Sequence, residues 1–203
     1  HVVHPGCDVA RFRPVAVPAG LRERLAGRAD AYPLLLSVGN LVERKGQDLV
    51  LRALAGLRGH FPRIAYAIVG DGRDRPALEA LCRQLGVEDL VRFAGRCTDD
   101  ELPACYAACD LFVMPSRARP EHDDVEGFGM VFLEASACGK PVIGVDPGLR
   151  SGCKCVAIDA TGAYHEAITI YPGQGAGADA RARQELLAFV RKHGPSAIAV
   201  GNG

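Results

Sequence analysis

Apolar and polar positions alternate in a regular rhythm up to about residue 145. Leu34 to Val38 is a near-continuous apolar run between Pro33 and Gly39 and reads as a buried strand. Gly46 to Leu57 has helical spacing through Leu49, Leu51, Leu54 and Leu57. Ile64 to Val69 is a second strand, closed by Gly70-Asp71-Gly72. Arg75 to Leu85 is a helix with Leu78, Leu81 and Leu85 on one side. Leu90 to Phe93 is a short strand closed by Gly95. Thr98 to Cys109 reads as a helix, because Thr98 with Glu101 three residues on makes a capping box. Leu111 to Met114 is a strand closed by Pro115-Ser116, and 117–125 is a charged loop. Met130 to Cys138 is a helix stopped by Gly139-Lys140-Pro141, and strand Val142 to Val145 follows. Ahead of all this, Pro5-Gly6 signals a turn and Leu21 to Leu25 a short helix. Strands alternating with helices predict an α/β fold with a parallel sheet covered on both faces.

The rhythm then changes. Cys155 to Asp159, a turn at Ala160-Thr161-Gly162, and Glu166 to Tyr171 predict strands without intervening helices. A helix over Ala178 to His193 and a last strand, Ala197 to Val200, complete the pattern. The expected organisation is a first unit over 1–144 and a second over 145–203.

Lys and Arg number 24 and Asp and Glu 24, so no basic field for nucleic acid exists at the whole-chain level. No apolar run reaches membrane-spanning length, and a cytoplasmic location is expected. The chain starts at His1 without a Met or a signal peptide, which suggests a fragment or a processed chain. Its eight cysteines include no C-x-x-C pair and read as small buried apolar residues rather than metal ligands.

Candidate chemistry gathers at the carboxyl ends of the expected strands, where open α/β sheets bind ligands. Gly39-Asn40, Gly70-Asp71-Gly72, Gly95-Arg96 and Pro115-Ser116-Arg117 all fall there. Glu126-Gly127-Phe128-Gly129 leads into the helix that carries Glu134. Glycines at a helix start let backbone N–H groups approach an anion, and the helix dipole favours negative charge there. Carboxylates at 126 and 134 accept hydrogen bonds from hydroxyls. Two acids eight apart would by themselves describe an ordinary surface helix; the order Glu-Gly-Phe-Gly, helix, Gly-Lys-Pro-Val-Ile is far more specific.

Glu126 to Glu134 resembles the E-x7-E motif of retaining glycosyltransferases with the GT-B fold. Ser37-Val38-Gly39-Asn40-Leu41-Val42-Glu43-Arg44-Lys45-Gly46 is similar to that family's G-R-L-x-x-x-K-G stretch. Pro5, Gly6, Asp8, Phe12 and Pro14 resemble its entry from the interdomain linker. The resemblance covers about 5–144 and implies the Rossmann-like, donor-binding half of the fold. It assigns the sugar of a UDP- or GDP-linked donor to Glu126 and the ribose to Glu134. Backbone contacts fall to Gly127, Phe128 and Gly129, and the diphosphate to Gly39, Asn40 and Lys45. Asn40 departs from the family's Arg and brings no charge; Lys45 would otherwise be an ordinary solvated lysine. Neither a cofactor nor a metal is implied, since cationic side chains and the helix N-terminus supply positive charge.

A second resemblance begins near the change of rhythm. Asp146-Pro147-Gly148-Leu149-Arg150-Ser151-Gly152-Cys153-Lys154, Val156 to Gly162, Ile170-Tyr171-Pro172 and Ile198 to Gly203 resemble the ribonuclease-H-like domain of Tex-type transcription accessory proteins. That segment would be truncated, would contact nucleic acid weakly, and would make the chain a chimera joined near 142–146. Six Lys/Arg against five Asp/Glu over 145–203 give little pull on a phosphate backbone. Asp146 reads as the turn residue of Asp-Pro-Gly rather than a metal ligand. Three functions are thereby expected in descending order. They are nucleotide-sugar binding without transfer, because the N-terminal acceptor domain is missing; a nucleic-acid-binding module; and a non-functional fragment with exposed sheet edges.

Overall fold

The computed structural model describes residues 7–116, 130–140, 142–148, 152–158, 164–172, 174–195 and 197–200. The strands are β1 (Leu34–Val38), β2 (Ala65–Val69), β3 (Val91–Gly95), β4 (Leu111–Pro115), β5 (Val142–Gly148), β6 (Gly152–Ile158), β7 (Tyr164–Ile170) and β8 (Ala197–Val200). The helices are α1 (Leu21–Ala26), α2 (Gln47–Leu57), α3 (Arg75–Leu85), α4 (Leu102–Ala108), α5 (Met130–Ala137) and α6 (Ala176–His193). All eight strands form one sheet in the order β3-β2-β1-β4-β8-β5-β6-β7. The pairs from β3 through β5 are parallel, and β5-β6-β7 is an antiparallel meander.

The first half is covered on both faces, which is why its strands read as continuous apolar runs. Leu34, Leu36 and Val38 point into a cluster with Phe12, Leu25, Tyr106 and Phe112. Leu35 points the other way, into a cluster with Leu51, Leu54, Tyr66, Ile68 and Leu78. A third cluster joins Cys155, Ala157 and Ile170 to Ala182 and Phe189 of α6. Ser37 is a buried polar residue inside β1. Its hydroxyl donates to the Val113 carbonyl and accepts from Tyr66 Oη at 2.7 Å, tying β1 to both neighbours.

Several expectations are corrected in detail. The buried stripe of α2 is Val50, Leu51 and Leu54, while Leu49 is exposed. The capping box forms: Glu101 N–H donates to Thr98 Oγ1, and Thr98 N–H to Glu101 Oε2. Even so, the helix begins at Leu102, because the box closes a turn ahead of it. The Asp146-Pro147-Gly148 stretch is strand, not turn, with Asp146 opposite Lys154. Among the described residues, pairing of β5 with β8 ends at Val145, short of Pro147 and its missing N–H. The Ala160-Thr161-Gly162 turn and the 117–125 loop lie outside the described residues. The expected boundary at 144/145 falls within β5, and the sheet runs through it unbroken.

Candidate functional site

Loops after β1, β2 and β3 interlock at the carboxyl ends of those strands. Gly39 N–H donates to Val69 O at 2.9 Å, Leu41 N–H to Asp71 O at 3.1 Å, and Gly70 N–H to Gly95 O at 2.8 Å. Asp74 N–H donates back to Leu41 O. A side chain at Gly70 would strike the Gly39 carbonyl, and one at Gly72 would strike Leu41. The close approach of these backbones is thus what requires glycine there.

Lys45 ends a single 3-10 turn, Glu43–Lys45, and Gly46 at φ 70° turns the chain into α2. Gly46 packs against the Pro115 carbonyl at the end of β4. Although charged, Lys45 is 8% exposed. Its stem lies over Gly39: a Cβ there would be 3.8 Å from Lys45 Cε and 3.5 Å from Met114 Cε. The stem is thus packed on the loop rather than extended into solvent. Asn40 is exposed, and its carbonyl accepts from the buried Gln47 side chain at 3.3 Å. Gly39, Asn40, Lys45 and the end of β4 are therefore brought together.

Glu134 is the fifth described residue of α5. Its Oε2 accepts a 2.7 Å hydrogen bond from the hydroxyl of Tyr106 on α4. Tyr106 is fully buried and its ring packs edge-on against Phe12 at 6.2 Å and Phe112 at 5.4 Å. Burial first, then the charge of Glu134, holds the Tyr106 hydroxyl protonated far above its usual range. Sequence reasoning missed Tyr106; its one signal was a lone aromatic among the small residues Ala104, Cys105, Ala107 and Ala108. Glu126, Gly127, Phe128 and Gly129 lie outside the described residues.

Lys140, just past α5, donates to the Ala107 and Cys109 carbonyls at 3.1 and 2.6 Å. That contact fixes the end of α5 against the C-terminus of α4, where a cation is favoured. Pro5 and Gly6 of the expected linker motif lie outside the described residues, and the stretch after them is docked. Asp8 Oδ1 accepts from the Ala10 and Arg11 amides, and Phe12 is buried beside Tyr106. Among the described residues no group of three or more His, Cys, Asp and Glu is placed to hold a metal ion, and no helix is long and apolar enough to cross a membrane.

Comparison with known proteins adds to this geometry. The profile of the family Glycosyl transferases group 1 matches residues 24–166, and that of the Tex protein YqgF-like domain matches 140–203. A GDP-mannose-dependent alpha-(1-6)-phosphatidylinositol monomannoside mannosyltransferase of Mycobacterium tuberculosis is 46% identical over 145 residues, covering 71% of this chain and 37% of that protein. The enzyme of the same name from Mycolicibacterium smegmatis is 40% identical over 197 residues, covering 96% of this chain and 49% of that one. The chain thus spans about half, or less, of the length of these relatives. Among solved structures, Anabaena HepE in complex with UDP is 30% identical with a TM-score of 0.58, covering 71% of this chain and 38% of the other.

Proposed function

We propose, since the chain belongs to the family Glycosyl transferases group 1, that it binds the nucleotide-diphosphate part of a sugar donor at the carboxyl ends of β1, β2 and β4. The observation that carries this reading is Lys45, a lysine drawn over Gly39 at the sheet's ligand edge. An ammonium there attracts a diphosphate, and the N-terminus of α2 immediately beyond adds positive potential. Glu134 accepts from the ribose hydroxyls, and Glu126 with the backbone of 127–129 serves the sugar. The names of the mycobacterial relatives favour a GDP-linked mannose donor, while the Anabaena structure carries UDP.

The reaction of the whole protein is retaining glycosyl transfer, with acceptor groups supplied by an N-terminal half. This chain alone binds donor but transfers no sugar. Calorimetric titration with GDP, UDP and their sugars tests the reading, repeated on Lys45→Ala and Glu134→Ala. Saturable binding weakened in both variants supports it. No binding by the folded chain, or robust transfer by it, contradicts it.

The match of 140–203 to the Tex-type domain favours a second reading, nucleic-acid contact through that segment. Oligonucleotide titration at two salt concentrations separates the two, because phosphate-backbone binding falls steeply with salt.

A further inference from the structure

We propose that Tyr106 is a positioning residue of the donor site: it holds one oxygen of Glu134 so that the other faces the nucleotide ribose. The inference rests on the donor-site reading above and adds a residue to it. An ionised carboxylate offers about four acceptor positions on two oxygens. Tyr106 takes one, on Oε2 at 2.7 Å, and Glu134 is half-buried. A hydroxyl can hold a carboxylate in one rotamer only if it is itself immobile. Tyr106 meets that condition, being fully buried with its ring wedged edge-on between Phe12 and Phe112. Phe112 in turn packs edge-on against Phe132 of α5 at 5.5 Å, so the aromatic row spans α4, β4 and the helix that carries Glu134. The row therefore fixes both the donor hydroxyl and the backbone from which the acceptor projects. Burial holds the hydroxyl protonated well above its usual range, so it remains a donor at neutral pH.

A merely structural Tyr106 and a positioning one differ in what happens when the ribose hydroxyls are removed. Binding of GDP and UDP is measured against their 2′,3′-dideoxy forms by calorimetry, in the unmodified chain, Tyr106→Phe and Phe12→Leu. The unmodified chain should prefer the complete nucleotide by about tenfold, the scale of one charge-assisted hydrogen bond. Tyr106→Phe should bind the dideoxy nucleotide as before and lose most of that preference. Phe12→Leu, which keeps the hydroxyl but removes one of its two ring supports, should retain more of it than Tyr106→Phe does. Should Tyr106→Phe fail to fold, Glu134→Gln and Glu134→Ala answer the question. The amide oxygen still accepts from Tyr106 with the nitrogen facing the ribose, so Gln should keep part of the preference that Ala abolishes. Full preference in Tyr106→Phe, equal loss for both nucleotides, or Gln no better than Ala would overturn the role. Absence of nucleotide binding by the unmodified chain would instead overturn the donor-site reading, and this role with it.

Discussion

At the scale of single residues, burial decides between readings that spacing leaves open. A lysine after a strand is usually solvated, and nothing in G-N-L-x-x-x-K-G by itself says otherwise. The structure places Lys45 at 8% exposure, with the end of its stem within van der Waals reach of Gly39. Lys45→Met keeps the stem and removes the charge. It should weaken GDP or UDP binding by about tenfold or more in titration, the value of a hydrogen bond to a charged group. The cysteines illustrate the opposite case. Five of the eight are buried as expected, while Cys7, Cys97 and Cys153 are partly exposed, and no pattern reveals that Cys97 and Cys105 meet across the capping-box turn. A hydrogen bond from Cys105 lowers the Cys97 thiol below its usual range. Burial raises Cys82, Cys138 and Cys155 to about 11 and Cys109 to about 12. A lowered pKa gives more thiolate at neutral pH, and thiolate is the nucleophile. Brief iodoacetamide labelling at pH 7, read by peptide mass spectrometry, should mark Cys97 ahead of those four; earlier labelling of Cys109 or Cys155 would refute the ordering.

At the scale of elements, what was legible is what local chemistry determines. Strands buried on both faces announce themselves as apolar runs, and β1, β2 and β4 fall within a residue of expectation. Helix starts are less legible, because a capping box satisfies amides whether or not the helix begins immediately after it, as at Thr98. Contacts between elements are hardly legible at all. Lys140 was readable as part of a helix stop, but its grip on the last carbonyls of α4 depends on tertiary placement. Lys140→Met should cost about 1–2 kcal/mol in urea unfolding, the range for a part-buried cation at a helix C-terminus. Gly46 is a sharper test of the loop–strand junction that seats Lys45. Its φ of 70° and the Pro115 carbonyl against its Cα together exclude a side chain. Gly46→Ala should destabilise the chain by about 2 kcal/mol or more, combining left-handed strain with an overlap against backbone, and should lower nucleotide affinity with it. Unchanged unfolding and unchanged binding would mean that the junction relaxes freely.

At the scale of the whole molecule, the sequence divides where the structure joins. The change from βα repeats to a meander marks a real change of pattern near 145, and two family profiles overlap there, at 140–166. Local pattern cannot show where the last strand goes, because strand order is a long-range property. Ala197–Val200 enters the sheet between β4 and β5, parallel to both. Phe112 to Pro115 pair with one side of it and Val142 to Val145 with the other. The four residues of β8 therefore carry the sheet from the parallel first half to the meander. A strand paired on both sides needs its amides for the ladder, and proline removes one and fixes φ. Ile198→Pro should cost about 3 kcal/mol or more. Its effect on the sheet is read by amide hydrogen exchange resolved along the chain. If the strand is integral to one cooperative sheet, the unmodified chain melts in a single step and protection in β4 and β5 is lost together in the variant. Loss confined to the meander, with β4 still protected, would mean that the first half closes its own sheet without β8.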